Sequence, residues 1–207
     1  MNVEHPNKIA WRDDLVAMCR QFYNRPTGSP LPRNKQWVTL GGPIVNKYGV
    51  IKPHSEYPQL ISCGLTPRQF FSVERELTTH NLNSTIVGPT WRLGDIYFVV
   101  AAELNNPTFN PGFLNLDLYS MPLRGGLQQL SQFTDLFTGL RRKILIASNF
   151  ILKNDWYGYE DDYHKMPDVL VKHTNFGSVR HLWHIEGIMM YRNWASTMGT
   201  IILSFNP

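Results

Sequence analysis

The 207-residue sequence is poor in cysteine and contains no long apolar run. Cys19 and Cys63 are its two cysteines, and they lie far apart with no CxxC spacing. This spacing excludes a disulfide scaffold and a zinc ribbon, and it fits a reducing compartment. No run of about 18 apolar residues occurs, and the N-terminus lacks the apolar core of a signal peptide. We therefore expect no membrane segment. We also expect that the protein is cytoplasmic, or that it acts in a cell that does not secrete it by that route.

Charged residues are also scarce, at 17% of the chain, whereas hydrophobic residues make up 43%. This balance excludes disorder throughout the chain and predicts a buried core. The net charge of +4 is mild, and the basic side chains are dispersed except at Arg141-Arg142-Lys143. Such a run more often ends a helix than binds phosphate. The composition therefore leaves nucleic acid open as a partner without favouring it.

The N-terminal part of the chain differs from the remainder. Apolar side chains recur at helical spacing over residues 11–23, which predicts an amphipathic helix. Residues 24–34 are rich in proline and glycine, as is typical of a linker, and residues 36–40 predict a strand. We expect an N-terminal helix and linker (residues 1–35) that pack on the core of one larger domain (residues 36–207).

Three acidic residues follow one another along the chain, each at the end of an apolar segment. Glu74 closes residues 69–74, Asp95 follows a glycine after the next segment, and Asp117 closes residues 112–117. An open α/β sheet presents polar groups in this way at the carboxyl ends of its strands, where its ligands bind. We therefore predict that the three carboxylates converge at one edge of a parallel sheet.

Four short motifs occur in an order that resembles the class I S-adenosylmethionine-dependent methyltransferases. The motifs are Leu40-Gly41-Gly42, Gly64-Leu65-Thr66-Pro67, Val73-Glu74 and Gly94-Asp95. The resemblance implies an α/β fold with a Rossmann-like, mostly parallel sheet flanked by helices, and it implies S-adenosylmethionine as the cofactor. Strands predicted at residues 187–193 and 198–205 would form the antiparallel C-terminal hairpin with which that family ends.

The resemblance assigns cofactor contacts to four residues. Gly41 and Gly42 would lie against the methionine part, although the acidic residue and full GxGxG spacing of the family are absent, and a plain turn is the alternative. Glu74 would accept hydrogen bonds from the ribose hydroxyls. Asp95 would accept one from the adenine amino group, or it caps the helix predicted at residues 96–104, and the two roles are compatible.

Residues 115–122 lie outside the four short motifs above. They occupy the place of the motif that the family numbers fourth, which lies beside the transferred methyl group. Asp117 would accept the proton or hold the N–H of a nitrogen acceptor, and Tyr119 would offer a stacking surface. We predict these two as the catalytic residues. The Asp-Pro-Pro-Tyr motif of amino-directed nucleic-acid methyltransferases is not present. The acceptor is therefore not identified, and nucleic acid is one candidate.

Two further clusters lie outside these motifs. Residues 156–163 combine aromatic and acidic side chains and are more typical of a protein interface or a substrate lid than of a metal site. The residues His173, His181, His184 and Glu186 include an HxxH spacing, but they lack a cysteine partner and an HExxH pattern. We predict structural histidines and no metal.

Two functions from different classes fit these observations. The first is an S-adenosylmethionine-dependent methyltransferase with an unknown acceptor. The alternative is a methyltransferase-like domain that has lost catalysis and acts as a binding or assembly protein, with residues 156–163 as a partner surface. A nucleotide-binding protein that transfers no methyl group is a third reading. Binding of S-adenosylmethionine separates the first two.

Overall fold

Strands and helices alternate along the chain. The computed structural model describes residues 6–40, 44–45, 51–52, 56–117, 125–152, 165–192 and 197–207. Within these residues the α-helices are α1 (Pro6–Phe22), α2 (Glu56–Ser62), α3 (Leu77–Asn83), α4 (Ile96–Glu103), α5 (Gly126–Leu140), α6 (Met166–His173) and α7 (Phe176–Val179). The strands are β1 (Gln36–Leu40), β2 (Ile44–Val45), β3 (Ile51–Lys52), β4 (Phe70–Glu74), β5 (Thr90–Leu93), β6 (Pro111–Asp117), β7 (Ile144–Ile151), β8 (Trp183–Arg192) and β9 (Thr197–Phe205).

Seven of the strands form one sheet in the order β5-β4-β1-β6-β7-β9-β8. β4 pairs in parallel with both β1 and β5, whereas β9 is antiparallel to both β7 and β8. β2 and β3 form a separate antiparallel pair between β1 and α2 in the chain. The predicted α/β class is confirmed, with a mostly parallel sheet, flanking helices and an antiparallel C-terminal hairpin.

The chain divides into two compact units, Met1–Leu114 and Asn115–Pro207. In the first unit the Trp37 ring packs on Phe113, with ring centroids 3.9 Å apart. β6 begins beside the beginning of β1, because the Gln36 N–H donates to the Asn110 carbonyl oxygen at 3.0 Å. This division does not test the predicted boundary between residues 35 and 36, which stays a prediction.

The first helix is longer than the apolar spacing predicts. α1 begins at Pro6 rather than at Trp11. Proline suits a helix start, because its missing N–H would have no partner within the helix there. Residues 6–10 contribute no buried side chain, so the apolar spacing carries no sign of this first turn. From Trp11 onward the expected amphipathic helix is confirmed, with Leu15 and Cys19 fully buried.

The segment after α1 has no regular structure but is held by side chains of the first unit. The Tyr23 hydroxyl donates to the Gly112 carbonyl oxygen at 2.7 Å, and the Gln69 amide donates to the Pro32 carbonyl oxygen at 2.8 Å. Burial, helped by the nearby Cys19, raises the pKa of the Tyr23 hydroxyl far above its usual value. The predicted linker is therefore irregular in backbone yet fixed in place.

In the second unit the strand β8 begins at Trp183, earlier than the predicted start at residue 187. The Trp183 indole N–H donates to the Thr138 hydroxyl oxygen at 2.8 Å, and its ring stacks on Phe205 with centroids 5.2 Å apart.

His184 lies in β8, whereas His181 lies in a preceding 3-10 turn, so the HxxH pair does not share a helix. None of the helices in the described part is long and apolar enough to span a membrane.

Candidate functional site

The carboxyl ends of three neighbouring strands of the first unit, β1, β4 and β5, lie at one edge of the sheet. The strands run parallel, with Leu40 opposite Val73 and Glu74 opposite Leu93. Glu74 and Asp95, which lies two residues beyond Leu93, are therefore brought to the same edge. Ligands of open α/β sheets bind outside the carboxyl ends of the strands. This edge is the candidate site.

Glu74 is the last residue of β4, a strand whose residues are all buried. It is 9% exposed, and its Oε1 accepts a hydrogen bond from the Asn83 side-chain amide at 3.3 Å. Its carbonyl oxygen accepts from the Gly94 N–H at 2.8 Å, which joins the ends of β4 and β5. A carboxylate at such a strand end suits the hydroxyl groups of a bound sugar, because hydrogen bonds to a charged acceptor are strong.

Asp95 is the N-cap of α4. Its Oδ1 accepts from the Tyr97 N–H at 2.9 Å, and its Oδ2 pairs with the guanidinium group of Arg75. The expected capping role is confirmed. The Arg75 side chain is 74% exposed, so this ion pair lies at the surface. An adenine amino group would share Asp95 with these two donors, and that contact stays a prediction.

A second ion pair lies at the opposite end of α4 from Asp95. Arg92 Nε donates to Glu103 Oε1 at 2.6 Å, and Asn106 donates to Glu103 Oε2 at 3.1 Å. Partial burial raises the pKa of the Glu103 carboxyl, but the hydrogen bonds and charge of its partners lower it by more, so the net pKa lies below its usual value. The Arg92 guanidinium also lies 5.7 Å over the Phe71 ring. This pair belongs to the scaffold.

A carboxylate that the sequence pattern does not reveal joins β1 to α2. Glu56 is the first residue of α2 and is 3% exposed. Its Oε1 accepts from the Trp37 indole N–H at 2.8 Å, and its Oε2 accepts from the Thr39 hydroxyl at 2.7 Å. In the sequence Glu56 is one polar residue among several, and its partners lie 19 and 17 positions away. No local pattern could have revealed this arrangement.

Asp117 is the last residue of β6, as the sequence predicts, and it is half-buried. It belongs to the second unit, whereas Glu74 and Asp95 belong to the first. Its convergence with these two carboxylates stays a prediction. Its role towards an acceptor also stays a prediction.

The other predicted site residues lie outside the described residues. They are Gly41, Gly42, Tyr119 and the aromatic segment 156–163. Their roles stay predictions from the sequence. Among the residues that the structure does describe, no group of three or more histidine, cysteine, aspartate or glutamate side chains is arranged to hold a metal ion.

Comparison with solved structures shows which fold this sheet order represents. Human methyltransferase 10 domain containing protein superposes with a TM-score of 0.56, covering 97% of this chain and 81% of its own, at 11% identity. The O-methyltransferase TomG from Streptomyces achromogenes, in complex with S-adenosylmethionine, gives 0.54 over 100% of this chain and 93% of its own, at 8% identity. The chain has a class I methyltransferase fold.

One of the structures with a similar fold is a larger protein. SMU.776, in complex with S-adenosylhomocysteine, superposes with a TM-score of 0.54 over 91% of this chain at 8% identity, and this chain spans 48% of its length. No protein-family model matches the sequence, and no curated protein matches it. The resemblance inferred from the sequence is therefore confirmed at the level of the fold.

Proposed function

We propose that this protein binds S-adenosylmethionine at the carboxyl ends of β1, β4 and β5 and transfers its methyl group to an acceptor. The observation that carries the proposal is the Glu74 carboxylate, which ends the strand beside β1 in this sheet. Two similar structures, TomG and SMU.776, contain S-adenosylmethionine or S-adenosylhomocysteine. Both support a cofactor of that chemistry.

The proposed cofactor contacts follow the edge of the first unit. Glu74 would accept two charge-assisted hydrogen bonds from the ribose hydroxyls. Asp95, at the start of α4, would accept one from the adenine amino group. Gly41 and Gly42 would let the backbone approach the methionine part closely, because glycine has no side chain and adopts positive φ readily.

The acceptor would enter beside Asp117, with Tyr119 as a stacking surface. S-adenosylmethionine supplies an electrophilic methyl group when it is bound, so the main task of the protein is to align the acceptor with it. For a nitrogen acceptor, Asp117 would take the proton that the nitrogen loses. Nucleic acid, protein and small amines all stay open as acceptors.

A second candidate function is protein binding by a methyltransferase-like domain without catalysis. Exposed apolar side chains of the first unit favour it, because a partner that covers them removes apolar surface from water. Leu77 is 59% exposed, Val87 93%, Leu93 46% and Phe98 72%. The aromatic segment 156–163 is a separate candidate for a partner surface, proposed from the sequence alone.

Isothermal titration calorimetry tests the proposed function. S-adenosylmethionine and S-adenosylhomocysteine should both bind the wild-type chain, whereas NAD should not. No binding of either at ligand concentrations of about 1 mM, which corresponds to about −4 kcal/mol, would contradict the enzyme proposal and leave the protein-binding candidate. Equal binding of NAD would instead favour a nucleotide-binding protein that transfers no methyl group.

A further inference from the structure

Glu56 joins the carboxyl end of β1 to the beginning of α2. Trp37 and Thr39 are two residues apart on β1, so their side chains lie on the same face of the sheet. Both donate to the Glu56 carboxylate, at 2.8 Å and 2.7 Å. Thr39 precedes residues 41–55 and Glu56 follows them. This carboxylate therefore connects the described residues that lie before and after that segment in the chain.

Both sides of this contact are fixed by packing. Trp37 is fully buried, and it lies against Phe113 with ring centroids 3.9 Å apart. Leu60, one turn after Glu56 on the same face of α2, is also fully buried. A carboxylate that is 3% exposed has lost most of its hydration, so donors must replace the water. Removal of the carboxylate leaves the buried Trp37 indole N–H without that acceptor. The contact therefore fixes β1 relative to α2.

We propose that Glu56 is a positioning residue for the cofactor site, and this inference rests on the proposed function. In open α/β sheets the ligand binds outside the strand ends where the strand order reverses. β1 occupies that place, with β4 and β5 on one side and β6 on the other. Glu56 acts through β1: it holds the Thr39 side chain, and with it the backbone at the end of the strand, in the arrangement that binds the cofactor.

The first test measures the Kd for S-adenosylhomocysteine by calorimetry. Glu56→Ala removes the contact, so the binding-competent arrangement becomes a minor population and the Kd should rise about tenfold. Glu56→Gln should restore the Kd to within about twofold of wild type, because its amide accepts from Trp37 and donates to the Thr39 hydroxyl oxygen. Thr39→Val should raise the Kd, and adding it to Glu56→Ala should raise it no further, because both residues act through one contact.

Trp183→Phe is the matched control. It deletes an indole N–H that donates at 2.8 Å in the second unit, as the Trp37 indole does in the first. It should lower the melting temperature and leave the Kd unchanged. An equal loss of affinity in this control and in Glu56→Ala would show a general effect of stability and would overturn the positioning role.

Hydrogen–deuterium exchange without cofactor supplies the second readout. Exchange at residues 36–40 and 56–62 should be faster in Glu56→Ala than in wild type, and unchanged there in Trp183→Phe. Unchanged exchange, or unchanged affinity in Glu56→Ala while the wild type binds, would overturn the positioning role alone. A wild-type chain that binds no cofactor would overturn the proposed function, and the role of Glu56 in cofactor binding with it.

Discussion

At the scale of single residues, a substitution of Asp117 should reduce methyl transfer without weakening cofactor binding. Its proposed contact is with the acceptor alone, so Asp117→Ala should lower turnover by about a hundredfold or more and leave the Kd for S-adenosylmethionine within about twofold. Turnover is measured as transfer of a tritiated methyl group to tRNA, protein and small-amine pools. Asp135→Ala removes an exposed carboxylate of the same unit and should change neither quantity. A large loss of cofactor affinity in Asp117→Ala would show that the residue contacts the cofactor instead.

Cys19 provides a test of the packing of α1. It is fully buried, and burial raises the pKa of its thiol well above the usual value, so the reactive thiolate is suppressed. Iodoacetamide at about pH 8 should therefore label the half-buried Cys63 in the folded protein and spare Cys19 until the chain is denatured. Mass spectrometry of the labelled peptides checks this. Equal labelling of both thiols in the native protein would mean that α1 does not pack as described.

The residues of the candidate site differ in how far the sequence reveals them. Glu74 and Asp95 each end an apolar segment, and a strand end is a local property that apolar spacing reports. Glu56 acts through side chains 17 and 19 positions away, and a contact between elements leaves no local pattern. The capping role of Asp95 could be predicted from the sequence, because a cap depends on residues next to it.

At the scale of elements, the end of α2 depends on Gly64, whose φ is +94°. The Gly64 N–H donates to the Ile61 carbonyl oxygen and the Leu65 N–H to that of Leu60, both at 3.0 Å, which is a Schellman motif. A Cβ here would lie 2.9 Å from the Gly28 carbonyl carbon. Gly64→Ala should therefore lower the free energy of unfolding by roughly 1–3 kcal/mol, measured by urea denaturation.

Gly139→Ala is the matched control for this prediction. Gly139 lies within α5, and a Cβ there would have no atom within 4 Å. Alanine is the better helix former, so this change should leave the free energy of unfolding unchanged or raise it by up to about 1 kcal/mol. If Gly64→Ala proved as stable as Gly139→Ala, the described end of α2 would be wrong.

The boundaries of elements show where apolar spacing stops being informative. The strand that ends at Glu74 could be predicted, because its end depends on residues close in sequence. The first turn of α1, residues 6–10, buries no side chain and so gives no apolar signal. β8 extends back to Trp183 because that residue pairs with Phe205 across the hairpin, and this pairing is not local.

At the scale of the whole molecule, stability should depend on pH in part through Glu103. Its net pKa lies below the ordinary value of 4.5, because Arg92 and Asn106 outweigh the effect of partial burial. A lowered pKa in the folded state stabilises the fold above the unfolded-state pKa, and this contribution is lost as the pH falls through the folded-state pKa.

Glu103→Gln should therefore reduce the free energy of unfolding at pH 7, and its difference from wild type should shrink at about pH 3. Chemical denaturation of both proteins at the two pH values measures this difference. A difference that grows on acidification would show that the Glu103 carboxyl is destabilised by burial more than it is stabilised by its partners.

The strand order is the property of the whole molecule that apolar patterns could not supply. β4 pairs with β1, although α2 and a hairpin lie between them in the chain, and β9 lies between β7 and β8. Such pairings join residues distant in sequence. The local sequence pattern therefore predicts each strand but does not indicate which strands it pairs with. The antiparallel ending could be predicted, because only a few residues separate the last two predicted strands and the methyltransferase resemblance implies the same ending.

The measurement that most directly tests cofactor binding by this protein is titration of S-adenosylhomocysteine into wild type, Glu74→Ala and Glu103→Ala. A ribose diol makes two charge-assisted hydrogen bonds to one carboxylate, so Glu74→Ala should weaken binding by roughly 1.5–3 kcal/mol, about tenfold to a hundredfold. Glu103→Ala removes a carboxylate from the opposite end of α4 and should bind as wild type does. Equal affinity of Glu74→Ala and wild type, or no binding by the wild-type chain, would contradict the assignment of this edge as the cofactor site.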